Sequence, residues 1–380
     1  MNKKTKVLFL LEAFDKGGIE KVTLDIVNNL DPEKYDITVQ TFWFGGHCQS
    51  QVKPHVKVIP FFFRRHIRGI NRLIDQLSPR MLYRLFVHGD YDVEIACSDG
   101  GAAKVISGST NKHARKVCWV HMDVVQRGSR MKEFANAQTA RPIYEKFNTI
   151  ACVSSTGLAQ FRRKFGEFPH MCTVHNPLPD HEIRQKAAEH TPARKACPQF
   201  VTVGRLAVEK GFDRLIDTAA QLHREGEQFQ VHIVGDGSLR EELSAQIRSH
   251  GLEDTVILEG FQSNPHPFIA AADWYVCSSL DEAFPLTIGE AFILGRPVLG
   301  TDCSGVREWL GHNRYGIVVQ NSTDGIYRGL KQILHMDPGE QTLWTDRAAE
   351  KASEISFQES MSRWQNAMMR NPAPGGLTHD

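Results

Sequence analysis

At 380 residues the chain exceeds what one core usually fills, so two domains of ordinary size are expected. Hydrophobic residues at 41% and charged residues at 23% exclude a disordered or fibrous polypeptide. A formal net charge of +1 removes any global electrostatic reason to expect a nucleic-acid partner, so polyanion binding has to be local.

The first stretch, "MNKKTKVLFLLEAFDKGG", begins with basic residues, but its apolar run stops at Glu12. That is too short for a signal segment or a membrane span. Short β-branched or aromatic runs then alternate with helical patterns, which predicts parallel sheets with helices on both faces. In the first half these runs are 7–11, 36–44, 56–61, 92–97, 116–122, 149–154 and 172–176. The segment 176–198 contains prolines and charges but no strand run, and the domain linker is assigned to 179–198, after a first domain of 1–178. The second half restarts at 199–205 and continues with 229–237, 256–261, 273–279, 296–302 and 316–320, giving a second domain of 199–355. The tail 371–380 reads as a disordered terminus. The eight cysteines are scattered, without a CxxC pair or a zinc-like His spacing, and several sit in apolar strand runs. A reducing, cytoplasmic setting follows as the expectation.

Ligands of doubly wound sheets bind at the carboxyl ends of the strands, so the informative residues should follow strands, in a cleft between the two domains. Gly17 and Gly18 stand between the first strand and an amphipathic helix, where they either form an ordinary turn or let backbone N–H groups approach an anion. His121 ends the run "CWVH" and is either structural or aimed at the same cleft. Arg205 closes a strand and Lys210 precedes the next helix. They are either parts of a solvated loop or two cations converging on a diphosphate. In "VGDGSLREEL", Asp236 or Ser238 is read as a helix cap. In "DEAFPLTIGEAF", Pro285 suits a first helical turn and predicts a helix from about 285 to Gly295. The N–H groups near Phe284, Leu286 and Thr287 then form an anion site, with a carboxylate on either side of it, Glu282 in the loop and Glu290 inside the helix. Two buried carboxylates must be paired or used. "DYD" at 90–92 has Asp-x-Asp spacing but precedes its strand, at the wrong end of the sheet for a metal site, so no metal is expected. The chain has neither G-x-G-x-x-G nor G-x-x-x-x-G-K-[ST].

Taken in order, Gly17-Gly18, Gly204-Arg205 through Lys210-Gly211, and Glu282 with Glu290 resemble the markers of the family-four retaining nucleotide-sugar glycosyltransferases. The resemblance implies the GT-B fold, two doubly wound Rossmann-like domains facing across a cleft. The segment 356–370 would be a last helix crossing back to the first domain. "GGIEK", "YDVEIA", "CWVH" and "VHNPL" look most like bacterial enzymes that build capsular or exopolysaccharide repeat units. On this resemblance the first domain binds the acceptor and the second the nucleotide sugar. Arg205 and Lys210 hold the donor diphosphate, Glu290 the ribose, Glu282 the transferred sugar, and His121 its hydroxyls near the reacting carbon. The base lies near Phe261, and the Gly17-Gly18 loop closes over donor and acceptor. Ala283 stands where the family commonly has Gly. No cofactor is implied beyond the donor, expected to be a UDP-linked sugar. The expected activity is transfer of a hexose or N-acetylhexosamine, with retention, to a glycan or polyprenyl-linked oligosaccharide. The competing readings are a catalytically silent nucleotide-sugar-binding scaffold and a GT-B epimerase. Finally, residues 61–86 carry six arginines against Asp75, in either a solvated helix or a peripheral contact with the inner face of the plasma membrane.

Overall fold

The computed structural model describes residues 3–14, 17–43, 45–46, 48–62, 76–121, 134 and 136–370. Arg64, Arg65, Arg68, Arg72 and the tail 371–380 lie outside the described residues. The chain divides into two compact units, residues 1–177 with 358–380, and residues 178–357.

The first unit holds a parallel sheet of seven strands, β1 (Thr5–Leu11), β2 (Tyr35–Trp43), β3 (Val56–Phe62), β4 (Val93–Ala96), β5 (Arg115–Val120), β6 (Thr149–Cys152) and β7 (Met171–Thr173), in the order β3-β2-β1-β4-β5-β6-β7. The second holds a parallel sheet of six, β8 (Gln199–Val203), β9 (Gln230–Val234), β10 (Val256–Gly260), β11 (Trp274–Cys277), β12 (Val298–Thr301) and β13 (Ile317–Val319), in the order β10-β9-β8-β11-β12-β13. All thirteen runs read from the sequence are strands. They were legible because parallel strands buried on both faces give uninterrupted apolar runs, as in "VLFLL" of β1, where every residue is buried.

Helices cover the sheets: α1 (Gly18–Asn29), α2 (Pro79–Phe86), α3 (Gly101–Ser107), α4 (Ala137–Tyr144) and α5 (Ser155–Phe165) in the first unit. The second has α6 (Asp180–Ala187), α7 (Phe212–Arg224), α8 (Arg240–Ser249), α9 (His266–Ala271), α10 (Leu286–Ile293), α11 (Ser304–Trp309), α12 (Thr323–Leu334) and α13 (Pro338–Ser353). Inside the stretch read as linker the structure builds α6, which packs on α9 and α10 of the second unit. Its only buried residue is Ile183, so its amphipathic signal is too thin to read in the sequence. The last helix, α14 (Phe357–Met369), returns to the first unit, as the resemblance implied. Trp364 stacks on Phe9 of β1 with ring centroids 5.5 Å apart, and Arg115 of β5 donates to the Met368 carbonyl at 2.8 Å.

Candidate active site

In the second sheet the strand order reverses between β8 and β11, which are direct neighbours. A crevice outside the carboxyl ends of such strands is where doubly wound folds take their ligands. The loop after β8 carries Arg205 and Lys210, and the loop after β11 carries Glu282, so the switch point gathers three of the residues picked out in the sequence.

Lys210 ends a short 3₁₀ turn that is closed by Gly211 in the left-handed region at φ 60°, where a β-carbon would collide with the Ser278 carbonyl. This close approach lets Ser278 Oγ donate to the Lys210 carbonyl at 2.8 Å and Leu280 N–H to the Glu209 carbonyl at 2.9 Å, binding the two loops together. Lys210 Nζ forms an ion pair with Glu282 Oε1, which also accepts from Ser279 Oγ at 2.9 Å. Burial by itself would lower the Lys210 pKa, but the charge and hydrogen bond of Glu282 outweigh it and hold the ammonium above its ordinary value. Arg205 reaches the same edge, paired at 2.7 Å with Glu209 and mostly exposed, a contact of small energetic weight. Both cations expected to meet a diphosphate are thus held by carboxylates that such a ligand would displace or share.

The end of β9 closes tightly on the end of β8. Gly235 adopts φ 149°, and a β-carbon there would strike the Gly204 carbonyl. The cap assigned to Asp236 or Ser238 is corrected. The N-cap of α8 is Leu239, without a side-chain cap bond, because Leu239 N–H is taken by the Leu206 carbonyl and the helix starts later. Asp236 instead accepts from Gly237 N–H at 2.9 Å.

Pro285 is the N-cap of α10 rather than part of its first turn, and Leu286 and Thr287 open the helix. The Glu282 carbonyl accepts from Gly305 N–H at 2.8 Å and Ser304 Oγ at 3.1 Å, which fixes the loop against α11. Ala283 is not among the positive-φ residues, so its methyl group causes no backbone strain; the close approach here is provided by Gly305, packed against the Ala283 carbonyl. Phe284 stacks on Trp309, and Thr287 Oγ1 accepts from Tyr275 Oη at 2.7 Å. Glu290 is 2% exposed and faces His266 Nε2 at 3.7 Å. Phe261 follows β10, the outermost strand on that side of the sheet, and is 39% exposed. Sequence reasoning passed over Glu209, Ser279, Tyr275 and His266. Of these only His266 had a visible signal, a polar residue between two prolines in "SNPHPF".

In the first unit, Gly17 is the N-cap of α1 and Gly18 its first residue, and Glu20 folds its carboxylate over the position that a Gly17 β-carbon would take. His121 follows β5, 4.3 Å from the Trp119 ring. The residue is half-buried, but its Nε2 is sequestered without a hydrogen-bond partner, and burial pushes its pKa down to about 3. Beside it, after β4, Asp99 accepts from the His121 backbone N–H, yet burial still raises its pKa to about 6. Asp99, in "CSDGG", is a titratable group at this strand edge that the sequence reading did not single out. Asp90 and Asp92 have structural partners, Asn111 Nδ2 at 2.8 Å and Lys6 N–H at 2.8 Å.

Residues 183–351 match the family described as Glycosyl transferases group 1. Over 198 residues the chain is 30% identical to the N-acetylgalactosamine-N,N'-diacetylbacillosaminyl-diphospho-undecaprenol 4-alpha-N-acetylgalactosaminyltransferase of Campylobacter jejuni. That match spans 51% of this chain and only about half, 53%, of the relative. It is 27% identical to the lipopolysaccharide 1,6-galactosyltransferase of Salmonella typhimurium, over 80% of this chain and 82% of the relative. The fold is similar to that of Anabaena HepE solved with UDP and glucose, with a TM-score of 0.74 at 19% identity over 95% of this chain and 98% of that one. The two doubly wound domains are therefore the GT-B fold, and within it residues 183–351 are similar to the group 1 glycosyl transferases.

Proposed function

We propose that the chain is a retaining glycosyltransferase that moves a hexose or N-acetylhexosamine from a nucleotide sugar, UDP-linked, to a glycan or polyprenyl-linked oligosaccharide in cell-surface polysaccharide synthesis. The observation that carries this reading is the Lys210–Glu282 pair at the β8/β11 switch point, beside the open N–H groups at the start of α10. Support for the donor comes from UDP in the HepE structure, and for the acceptor from the diphospho-undecaprenol in the name of the Campylobacter relative.

In this mechanism an acceptor hydroxyl oxygen bonds to the anomeric carbon on the face from which the nucleoside diphosphate departs. The carbon–oxygen bond to phosphate breaks, its electron pair leaves with the diphosphate, and the leaving phosphate takes the hydroxyl proton. Lys210, Arg205 and the N–H groups of Leu286 and Thr287 stabilise the charge that grows on the leaving group, so the reaction needs no metal or other cofactor. Glu282, once Lys210 turns to the diphosphate, accepts from sugar hydroxyls, and Glu290 accepts from the ribose. His121, kept neutral by burial, contacts the sugar near the reacting carbon.

No helix among the described residues is long and apolar enough to cross a membrane. A peripheral contact with anionic lipid is supported by α2, which exposes Met81 and Leu85 beside Arg80 and Arg84 while burying Leu82, Tyr83 and Phe86. Reversing Arg80 and Arg84 to Glu should abolish co-sedimentation with anionic vesicles, and unchanged sedimentation removes the contact. The activity is tested by release of UDP from a panel of UDP-hexoses and UDP-N-acetylhexosamines, with and without membrane lipid extract, for wild type, Glu290→Ala and Lys210→Ala. Lipid-stimulated release from one donor, lost in both variants, supports a transferase. Tight nucleotide binding without release under any condition overturns it in favour of a silent scaffold.

A further inference from the structure

The second carboxylate of the site packs against a histidine of another helix. Glu290 is 2% exposed, and the group that faces it is His266, 3% exposed, at the start of α9, with Nε2 at 3.7 Å from Glu290 Oε1. The other ring nitrogen, Nδ1, lies 3.0 Å from Asn264 Oδ1, which also accepts from the His266 backbone N–H at 3.2 Å. The orientation of the Asn264 amide is fixed independently, because its Nδ2 donates to the Lys186 carbonyl at 2.8 Å and to Glu189 Oε2 at 2.8 Å. Turning the amide over would set its oxygen against two acceptors and its NH₂ against a backbone donor. Nδ1 must therefore be a donor. With that proton fixed, Nε2 is left buried without a hydrogen-bond partner, at ion-pair distance from the Glu290 carboxylate but beyond hydrogen-bond reach.

We propose that His266, oriented by Asn264, which is itself anchored to the end of α6, is a positioning residue that keeps the Glu290 carboxylate turned toward the ribose. This rests on the reading of Glu290 as the ribose ligand. An ionised carboxylate accepts from both vicinal ribose hydroxyls at once, whereas a protonated or rotated one gives up part of that capacity. Nothing in His266 or Asn264 needs to touch the nucleotide.

The test is the preference for ribose over deoxyribose. Affinity is measured by calorimetry for whichever of UDP, GDP and ADP binds tightest and for its 2′-deoxy counterpart, with the full chain as wild type, Glu290→Gln, His266→Phe and Asn264→Ala. Wild type should prefer the ribonucleotide about tenfold or more, the equivalent of one charged hydrogen bond. Glu290→Gln tests the underlying reading, and a preference unchanged there, or no binding of any nucleotide, removes both ideas together. If Glu290→Gln abolishes the preference, His266→Phe should also abolish it, and Asn264→Ala should reduce it severalfold, with deoxynucleotide affinity unchanged in both. A preference retained in His266→Phe and Asn264→Ala overturns the proposal alone. An equal loss of affinity for both nucleotides, which is what a merely structural role gives, also overturns it. Should His266→Phe fail to fold, Asn264→Ala, at a half-buried position, decides the matter.

Discussion

The Lys210–Glu282 pair makes opposite demands on stability and binding, and these can be separated. Lys210→Met keeps the apolar stem but leaves the Glu282 carboxylate with Ser279 Oγ and without its ammonium. Stranding one member of a fully buried pair costs about 3–5 kcal/mol. Here the side chains are 24% and 15% exposed, so water screens part of the charge and about 1–3 kcal/mol is expected. For a domain of this size that is a fall in Tm of about 2–10 °C. Adding Glu282→Gln removes the stranded charge and should recover at least half of the loss. Binding should not recover, because the diphosphate still lacks its ammonium partner, and UDP affinity should stay about 10- to 100-fold down in both variants. Glu282→Gln alone should bind UDP as tightly as wild type or more so, since Lys210 no longer has to leave a carboxylate. The Lys210 pKa is raised above 10.5, so the pair's contribution is complete below that value and fades only as pH climbs through the higher folded value. The cost of Lys210→Met should therefore be flat between about pH 6 and 9. Scanning calorimetry and titration calorimetry read both quantities. A double variant no more stable than Lys210→Met, or UDP affinity within about twofold of wild type in Lys210→Met, refutes the reasoning.

Gly235→Ala forces a β-carbon onto the Gly204 carbonyl at a positive φ and should cost about 2–4 kcal/mol in urea unfolding; a loss below about 0.5 kcal/mol would show that the crossing relaxes easily. Tyr275→Phe removes the bond to Thr287 and should cost about 1 kcal/mol with little change in nucleotide affinity, to be checked by the same two methods. Asp99 holds a proton up to about pH 6 in the folded state but releases it near 3.8 when unfolded, so its contribution to stability falls as pH rises through that window. Asp99→Asn should accordingly gain on wild type from pH 4 to pH 7, and a difference constant with pH would contradict the burial argument. Carbon-13 NMR of labelled histidine should show His121 neutral at every pH above about 4, whereas titration near its ordinary value would place it in water.

The strands were legible because both faces of each sheet are covered, which turns them into apolar runs that no turn or helix imitates. The candidate site was legible where a residue type had to be special in a loop after a strand, as with Gly204, Arg205, Lys210, Gly211 and Glu282, while Glu290 stood out as an acid inside an apolar helix. What the sequence could not show was who pairs with whom. Glu282 and Lys210 are 72 positions apart and meet only because β8 and β11 are neighbours, a fact of strand order rather than of spacing. His266 showed as a polar residue between prolines, but its proximity to Glu290, on a separate helix, did not. Helix α6 was missed because one buried isoleucine gives no periodicity to read.

Helix α14 makes the first unit discontinuous in the chain. Its Met361, Trp364 and Met368 are buried against a sheet whose strands end at Thr173, with the whole of the second unit lying between in sequence. On the ribosome the core of the first unit thus waits for residues made after the whole of the second unit, and until they emerge Phe9 and Trp119 lack their neighbour Trp364. A chain cut short just after the second unit would carry Arg205, Lys210, Glu282 and Glu290 and still leave its first unit unfinished. An unfinished core of this kind is a target for proteolytic surveillance.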